Sequence, residues 1–389
     1  MAICPEQVDR ACRVRRRKPT DWKAPALERP QTGDGENSSE SKATREVRHE
    51  YTRNLPRILE HLGASLLVST YQAGKVVVLG AGPHGLELSY HNFEKAMGIA
   101  VGPGKVAVGA RAAIWFLNDD PLIARQIEPA GTHDACFLAR SARVTGEIQS
   151  HELAWLGEEL WVVNTAFSCL CTLDERHSFQ PRWKPRFISA LAAEDRCHLN
   201  GLGCLDGRAK LVTALAETDI AGGWRPSKAT TGCLIDVDSG ETLVRGLAMP
   251  HSPRIHQGKT WLLDSGRGQL VVADTERGTV TTVIELPGYT RGLALVDTFA
   301  FVGLSRIRET STFGGLPIAA QRESLKCGVA VVDLVSGRQM AFLEFHTGVE
   351  EIFDIQLVPG IRSPVMSGPH PHLDGKPAIW TVPASARSL

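Results

Sequence analysis

The chain has 389 residues, 43% of them hydrophobic and 22% charged, with 37 glycines, which is the composition of a globular protein rich in tight turns. Its 43 lysines and arginines are matched by 43 aspartates and glutamates, so no global basic field draws in nucleic acid or an anionic membrane. No apolar run approaches the roughly 20 residues that span a bilayer, and no apolar leader resembles a secretory signal, so a cytoplasmic location is expected.

Residues 1–50 are expected to form a disordered extension. They combine a basic run from Arg13 to Lys18 with prolines 19, 25 and 30 and the polar stretch Gln31 to Lys42, and bury too little apolar surface to offset chain entropy. The run Arg15, Arg16, Arg17, Lys18 is a candidate contact for an acidic protein partner, with a solvated tail as the alternative. A short helix is predicted over Arg53 to Leu62, where Pro56 suits the first turn.

From Leu66 the pattern changes to short apolar runs separated by Gly, Asp and Asn turns, which are strand and hairpin signals. One strand-turn-strand phrase opens six times, at Met97, His151, Leu199, His251, Arg291 and Ile352. Between these openings lie second pairs such as GCLIDVDSGETLVRGL from Gly232, QLVVADTERGTVTTVIEL from Gln269 and GVAVVDLVSGRQMAFLEF from Gly328. A period of about fifty residues with four strands predicts an all-β fold, a six-bladed β-propeller. A pair of β-sandwiches is the alternative, but it does not require the same phrase to return six times. The propeller is assigned to residues 51–360 and a C-terminal tail packed against it to 361–389, the ring closing by pairing of the strand from Leu66 with strands near Val331 to Leu357.

In such a ring the innermost strands line a central channel, and their entering loops make one mouth. The predicted starts carry Met97, His151 with Glu152, His198 with Asn200, His251 with Ser252, Arg291, and Glu351 with Asp354. Imidazoles and carboxylates converging from different blades suit a divalent transition metal, with His151, His198, His251 and Glu351 as the ligand set. They equally suit hydrogen bonds that tie neighbouring blades together, or acid–base chemistry without metal, for which Glu152, His251, Glu351 and Asp354 are the candidates. Arg291, inside the apolar phrase TRGLAL, calls for a carboxylate or phosphate, either Glu351 or Glu152 within the chain or an anionic ligand.

Three polar connections are candidate walls or lids: Ala216 to Thr231, where an exposed Trp224 beside Arg225 suits ligand stacking and a buried tryptophan is the alternative; Arg306 to Cys327, with Glu309 and Thr310; and Gly131 to Gly146, with His133 and Asp134. Together with Arg291 and Asn200, the residues His133, Trp224 and Arg225 form the expected ligand-binding set. The nine cysteines show no repeated spacing, and most are read as reduced, buried thiols. Cys169 and Cys171 alternate on one strand face, which leaves a redox or metal role open. A Walker phosphate loop, HExxH, a GxSxG elbow and a dinucleotide glycine fingerprint are all absent.

The phrases STYQAGK at Ser69, HDACFLARSARVTGEIQSHELAW at His133, MPHSPR at Met249, LPGYTRGLA at Leu286 and EIFDIQLVPG at Glu351 resemble the DUF4915 family of bacterial proteins over about Leu66 to Gly360. The resemblance implies a propeller-like domain and carries over no catalytic assignment. Two functions follow as expectations: a binding propeller whose mouth takes a small anionic or peptide-like ligand, or a metal-dependent or acid–base enzyme centred on the same mouth.

Overall fold

The computed structural model describes residues 46–307 and 313–383. The extension assigned to residues 1–50 lies largely outside that range, as do Glu309 and Thr310. The fold is a six-bladed β-propeller, each blade a four-stranded antiparallel sheet, two of them extended by a fifth strand. Blade 1 holds Ala64–Thr70, Lys75–Gly82 and Gly85–Asn92; blade 2, Ile99–Gly102, Lys105–Gly109, Ala113–Asp119 and Ala135–Val144. Blade 3 holds Ser150–Leu156, Glu159–Asn164, Cys169–Thr172 and Gln180–Trp183; blade 4, Leu199–Leu205, Arg208–Ala214, Gly232–Asp236 and Thr242–Leu247. Blade 5 holds Pro250–His256, Lys259–Asp264, Gln269–Asp274 and Thr279–Glu285; blade 6, Tyr289–Val296, Phe299–Ser305, Gly328–Asp333 and Arg338–Phe345.

Closure follows the expected route. The inner strand of blade 1 is Asp354–Pro359, and it pairs with Ala64–Thr70 from the other end of the sequence, Asp354 opposite Ser69 and Leu357 opposite Leu66. Two short strands reinforce the rim. His49–Tyr51, at the expected junction between extension and propeller, pairs with the outer strand of blade 6, and Pro364–Ser367 runs parallel to the outer strand of blade 2.

The phrase that recurs in the sequence is a turn made by the same atoms each time. Asp236, Asp274 and Asp333 end third strands, and their carboxylates accept backbone N–H bonds from Ser239, Arg277 and Ser336 at 2.7, 3.0 and 3.1 Å. The glycine four residues on then donates to the aspartate carbonyl, from Gly240, Gly278 and Gly337 at 2.8, 2.9 and 2.8 Å, each with φ near +68°.

Apolar residues are buried on both faces of each blade because neighbouring blades stack face to face. Alternation along a strand therefore divides its side chains between two interfaces. In blade 5, Leu262 packs with Leu211, Leu234 and Val244 of blade 4, whereas Trp261 and Leu263 pack with Leu293, Ala300 and Val302 of blade 6. The core is a ring of such interfaces. The predicted helix spans Asn54–Leu62, ends at left-handed Gly63, and lays Leu55 and Leu59 on the seam between blades 6 and 1. Among the described residues no helix is long and apolar enough to cross a membrane.

Candidate functional site

Strand register defines which residues are truly equivalent around the channel. The first residue of the inner strand faces the last residue of the second strand in four blades: Ser150 and Asn164, Leu199 and Ala214, Pro250 and Asp264, Tyr289 and Ser305. The next inner-strand residues are His151, Asn200, His251 and Thr290. A β-bulge follows in each case, between Ser150 and Leu153, Leu199 and Gly201, His251 and Arg254, and Thr290 and Leu293. Bulges bend a strand and re-aim its side chains, and are common beside functional sites.

His198 is therefore not the counterpart of His151 and His251, as its place near a strand start suggests. It occupies the position of Gln149 and Met249, one residue before the strand, where all three backbones are left-handed with φ of 50°, 54° and 49°. Asn200 takes the histidine position in blade 4.

The two equivalent histidines are held alike. His151 Nδ1 lies 3.2 Å from the Gln149 carbonyl and 2.8 Å from Thr165 Oγ1; His251 Nδ1 lies 2.9 Å from the Met249 carbonyl and 3.0 Å from Ser265 Oγ. A carbonyl only accepts, and the Thr165 hydroxyl proton is given to the Leu199 carbonyl, so in both rings Nδ1 carries the hydrogen. The Nε2 edges are bare acceptors with no hydrogen bond among the described residues. Burial, then the charges of His198 and Arg291, push His151 well below its ordinary value, and burial followed by Arg291 does the same to His251. Both rings are neutral at pH 7. His198 donates from Nδ1 to Asp195 at 2.9 Å, and its ring meets His151 edge-on at 4.8 Å.

Arg291 completes this layer from the bulge of blade 6. Its guanidinium lies 3.4 Å above the centre of the Phe353 ring, which is itself stacked 5.5 Å from Tyr71, and its Nη1 is 3.6 Å from Glu351 Oε1. Arg291 is 8% exposed, and Nη2 has no hydrogen-bond partner. Burial pulls its pKa down, Glu351 acting against this, but a guanidinium remains charged at neutral pH. Asn200 Nδ2 and Thr290 Oγ1 are likewise buried without partners. Three unpaired polar atoms thus lie at the inner-strand starts of blades 4 and 6.

At the next level down the channel, Arg254 of blade 5 pairs with Glu152 of blade 3. Glu152 also accepts from Leu202 N of blade 4 at 2.9 Å, Asp354 of blade 1 accepts from Ile99 N of blade 2 at 2.8 Å, and Arg254 donates to Leu293 O of blade 6 at 3.0 Å. These three charged groups touch all six blades. Burial, opposed by Arg254, raises Glu152 to about 7, and burial also raises Asp354. Glu152 and Arg254 border a cavity of about 260 Å³, lined also by Trp155, Cys204 and Gln356.

A family model described as a domain of unknown function, DUF4915, matches residues 53–366. The chain belongs to the DUF4915 family. Among curated proteins none matches it. Solved structures similar to it include a nidogen/laminin complex, at 10% identity and TM-score 0.48, covering 76% of this chain and 99% of that one. Another is a protein of unknown function from Bacteroides caccae, at 12% identity and TM-score 0.48, covering 76% and 98%. The computationally designed Ika8 protein is similar at 12% identity and TM-score 0.34, covering 74% and 78%.

The DUF4915 domain brings His151, His198, His251, Asn200, Arg291 and Glu351 to one mouth, with Glu152 and Asp354 in the layer beneath. Among its described residues no group of three or more His, Cys, Asp or Glu side chains is arranged to hold a metal ion, and this includes His151, His198, His251 and Glu351. His133 lies elsewhere, at the rim between blades 1 and 2, 3.2 Å from Ser363 Oγ, because most of Gly131 to Gly146 forms the outer strand of blade 2. Trp224 is 2% exposed, donating to Asp195 at 3.0 Å; it packs with Met249, Tyr289 and Leu316, so the two long connections meet through apolar side chains. Arg225 remains open to solvent over the Trp224 ring, 4.5 Å from its centre. Cys169 and Cys171 are buried free thiols, and contact between them raises Cys171 far above its usual range. Phe353 and Arg254 escaped the sequence reading, although Arg254, like Arg291, lies on an inner strand.

Proposed function

We propose that the mouth of the channel binds a small carboxylate that also carries hydroxyl or ammonium donors. The observation that carries this reading is the Arg291 guanidinium, clamped flat on Phe353 with Nη2 buried and unpaired. Leaving such a group unsatisfied costs on the order of 1–3 kcal/mol or more, and a carboxylate is its natural partner. The bare Nε2 atoms of His151 and His251 are neutral acceptors, which selects a ligand with donors beside its acid group. Asn200 Nδ2 and Thr290 Oγ1 supply further unused polar capacity in the same layer.

The test is calorimetric titration and thermal denaturation of the full chain with lactate, malate, glycine and inorganic phosphate. A hydroxy or amino acid is expected to bind and to raise the unfolding temperature, with Arg291→Gln weakening binding at least about tenfold, the loss of one charge-assisted hydrogen bond. Absence of binding by all four, or equal affinity in the variant, overturns the reading.

A further inference from the structure

The rim of blade 1 carries a second constellation, far in sequence and position from the channel mouth. Ser89 and His91 stand two residues apart on the outer strand Gly85–Asn92 and so share a face. Ser89 Oγ lies 2.9 Å from His91 Nε2. The other ring nitrogen, Nδ1, lies 3.6 Å from Asp374 Oδ2, and these side chains are 0% and 1% exposed. Neither Nδ1 nor Oδ2 has a hydrogen-bond partner, so they face each other across a gap slightly longer than a hydrogen bond. Such contacts are often long before substrate binds.

The carboxylate is fixed in turn. Asp374 closes the short helix Pro371–Asp374, and its Oδ1 accepts from the Asn92 backbone at 2.8 Å and from the Asn92 amide. Lys75 donates to the same amide's oxygen at 2.7 Å. Ser89, half-buried, opens into a cleft of about 670 Å³ whose walls include Leu88, Val365, Met366, Ile379 and Lys376. That volume is within the usual range for a small-molecule site.

We propose that Ser89, His91 and Asp374 form an acyl-transfer site that hydrolyses esters of short apolar acids held in this cleft. Nucleophile, base and orienting carboxylate are recognised by geometry and role, whatever their order in the sequence. Ser89 Oγ attacks the acyl carbon and its proton passes to His91 Nε2. The tetrahedral intermediate expels the alcohol, which takes that proton from His91. Water, deprotonated by the same nitrogen, then releases the carboxylic acid and restores the Ser89 hydroxyl. Lys376, in the wall of the same cleft, supplies positive charge for the oxyanion. Burial lowers His91 below its ordinary value while Asp374 raises it, and Lys376 and Lys75 lower it. Against burial, the adjacent His91 ring and the bonds from Asn92 hold Asp374 below the carboxylate range. The ring is thus a neutral base facing an ionised acid.

The test treats the full chain with a fluorophosphonate probe and with p-nitrophenyl butyrate. One phosphonyl adduct is expected, located on Ser89 by peptide mass spectrometry. Ser89→Ala should abolish labelling and lower ester turnover at least about 100-fold, with its unfolding temperature unchanged. Asp374→Asn, nearly isosteric, should slow labelling and move the midpoint of the pH–rate profile downward, because the carboxylate favours the protonated ring. Absence of label on Ser89, or turnover undiminished in Ser89→Ala, overturns the proposal and leaves a latch that docks the C-terminal segment.

Discussion

Arg254 of blade 5 is ion-paired with Glu152 of blade 3, reaching past the inner strand of blade 4, to whose Leu202 carbonyl it also donates at 3.1 Å. Both side chains are largely buried, and Asp354 of blade 1 shares the same field. One cation therefore serves two carboxylates at the hub of the ring. Removing it leaves buried negative charges without a counter-charge, which typically costs about 3–5 kcal/mol. Arg254→Met should lower the denaturant-derived stability by that amount. A loss under about 1 kcal/mol would show that the ring does not depend on this hub.

The same hub sets a pH dependence. Glu152 titrates at about 7 in the folded protein against 4.5 in the unfolded chain, so between these values the folded state holds the extra proton. Its stabilisation is complete below pH 4.5 and is lost as pH rises toward 7, with a slope of up to about 1.4 kcal/mol per pH unit for one proton. Glu152→Gln should flatten this fall, because Asp354 then pairs with Arg254 alone. Urea denaturation of both proteins across that range checks it, and parallel curves would refute it.

The mouth histidines act in the opposite direction. His151 and His251 have folded values well below 6.5, so below that pH the unfolded chain takes up protons that the folded rings refuse. Stability present above pH 6.5 is lost as pH falls. Ring-nitrogen NMR at pH 6.5 should find both residues neutral, with hydrogen on Nδ1. A protonated ring at that pH in either would contradict the lowering by burial, and a neutral ring with hydrogen on Nε2 would contradict the hydrogen-bond assignment.

Blades 4 to 6 were legible because their turns repeat a local chemistry: an aspartate ending an apolar run, with a glycine four residues later. Closure was legible because two apolar strands were left over at opposite ends of the repeat. The register of the mouth was not. His198 stands one residue before its strand begins, while Asn200 holds the histidine position, and hydrophobic alternation does not mark which residue opens a strand. His133 was misplaced because a stretch that reads as a loop is, from Ala135 on, the outer strand of blade 2, itself paired with Pro364–Ser367. Ser89 and His91 escaped the reading, although they stand at strand spacing. Their carboxylate, Asp374, is supplied from the far end of the chain, past the repeat that organised the reading.

The seam between blades 6 and 1 rests on Gly292. Its φ is +80°, and a Cβ there would stand 2.7 Å from Ile355 N and 2.9 Å from Asp354 Cα, backbone atoms of the closing strand that cannot swing aside. The left-handed conformation alone costs a non-glycine residue roughly 1–2 kcal/mol. The contact adds to this by prising Asp354–Pro359 away from Tyr289–Val296, the neighbouring inner strand. Gly292→Ala should therefore destabilise the protein by more than about 2 kcal/mol. By contrast, Gly207→Ala, also left-handed at φ +69° but with open space around it, should cost only the conformational term. Equal losses in the two variants, measured by chemical denaturation, would mean that blade 1 does not close as tightly on blade 6 as these distances require.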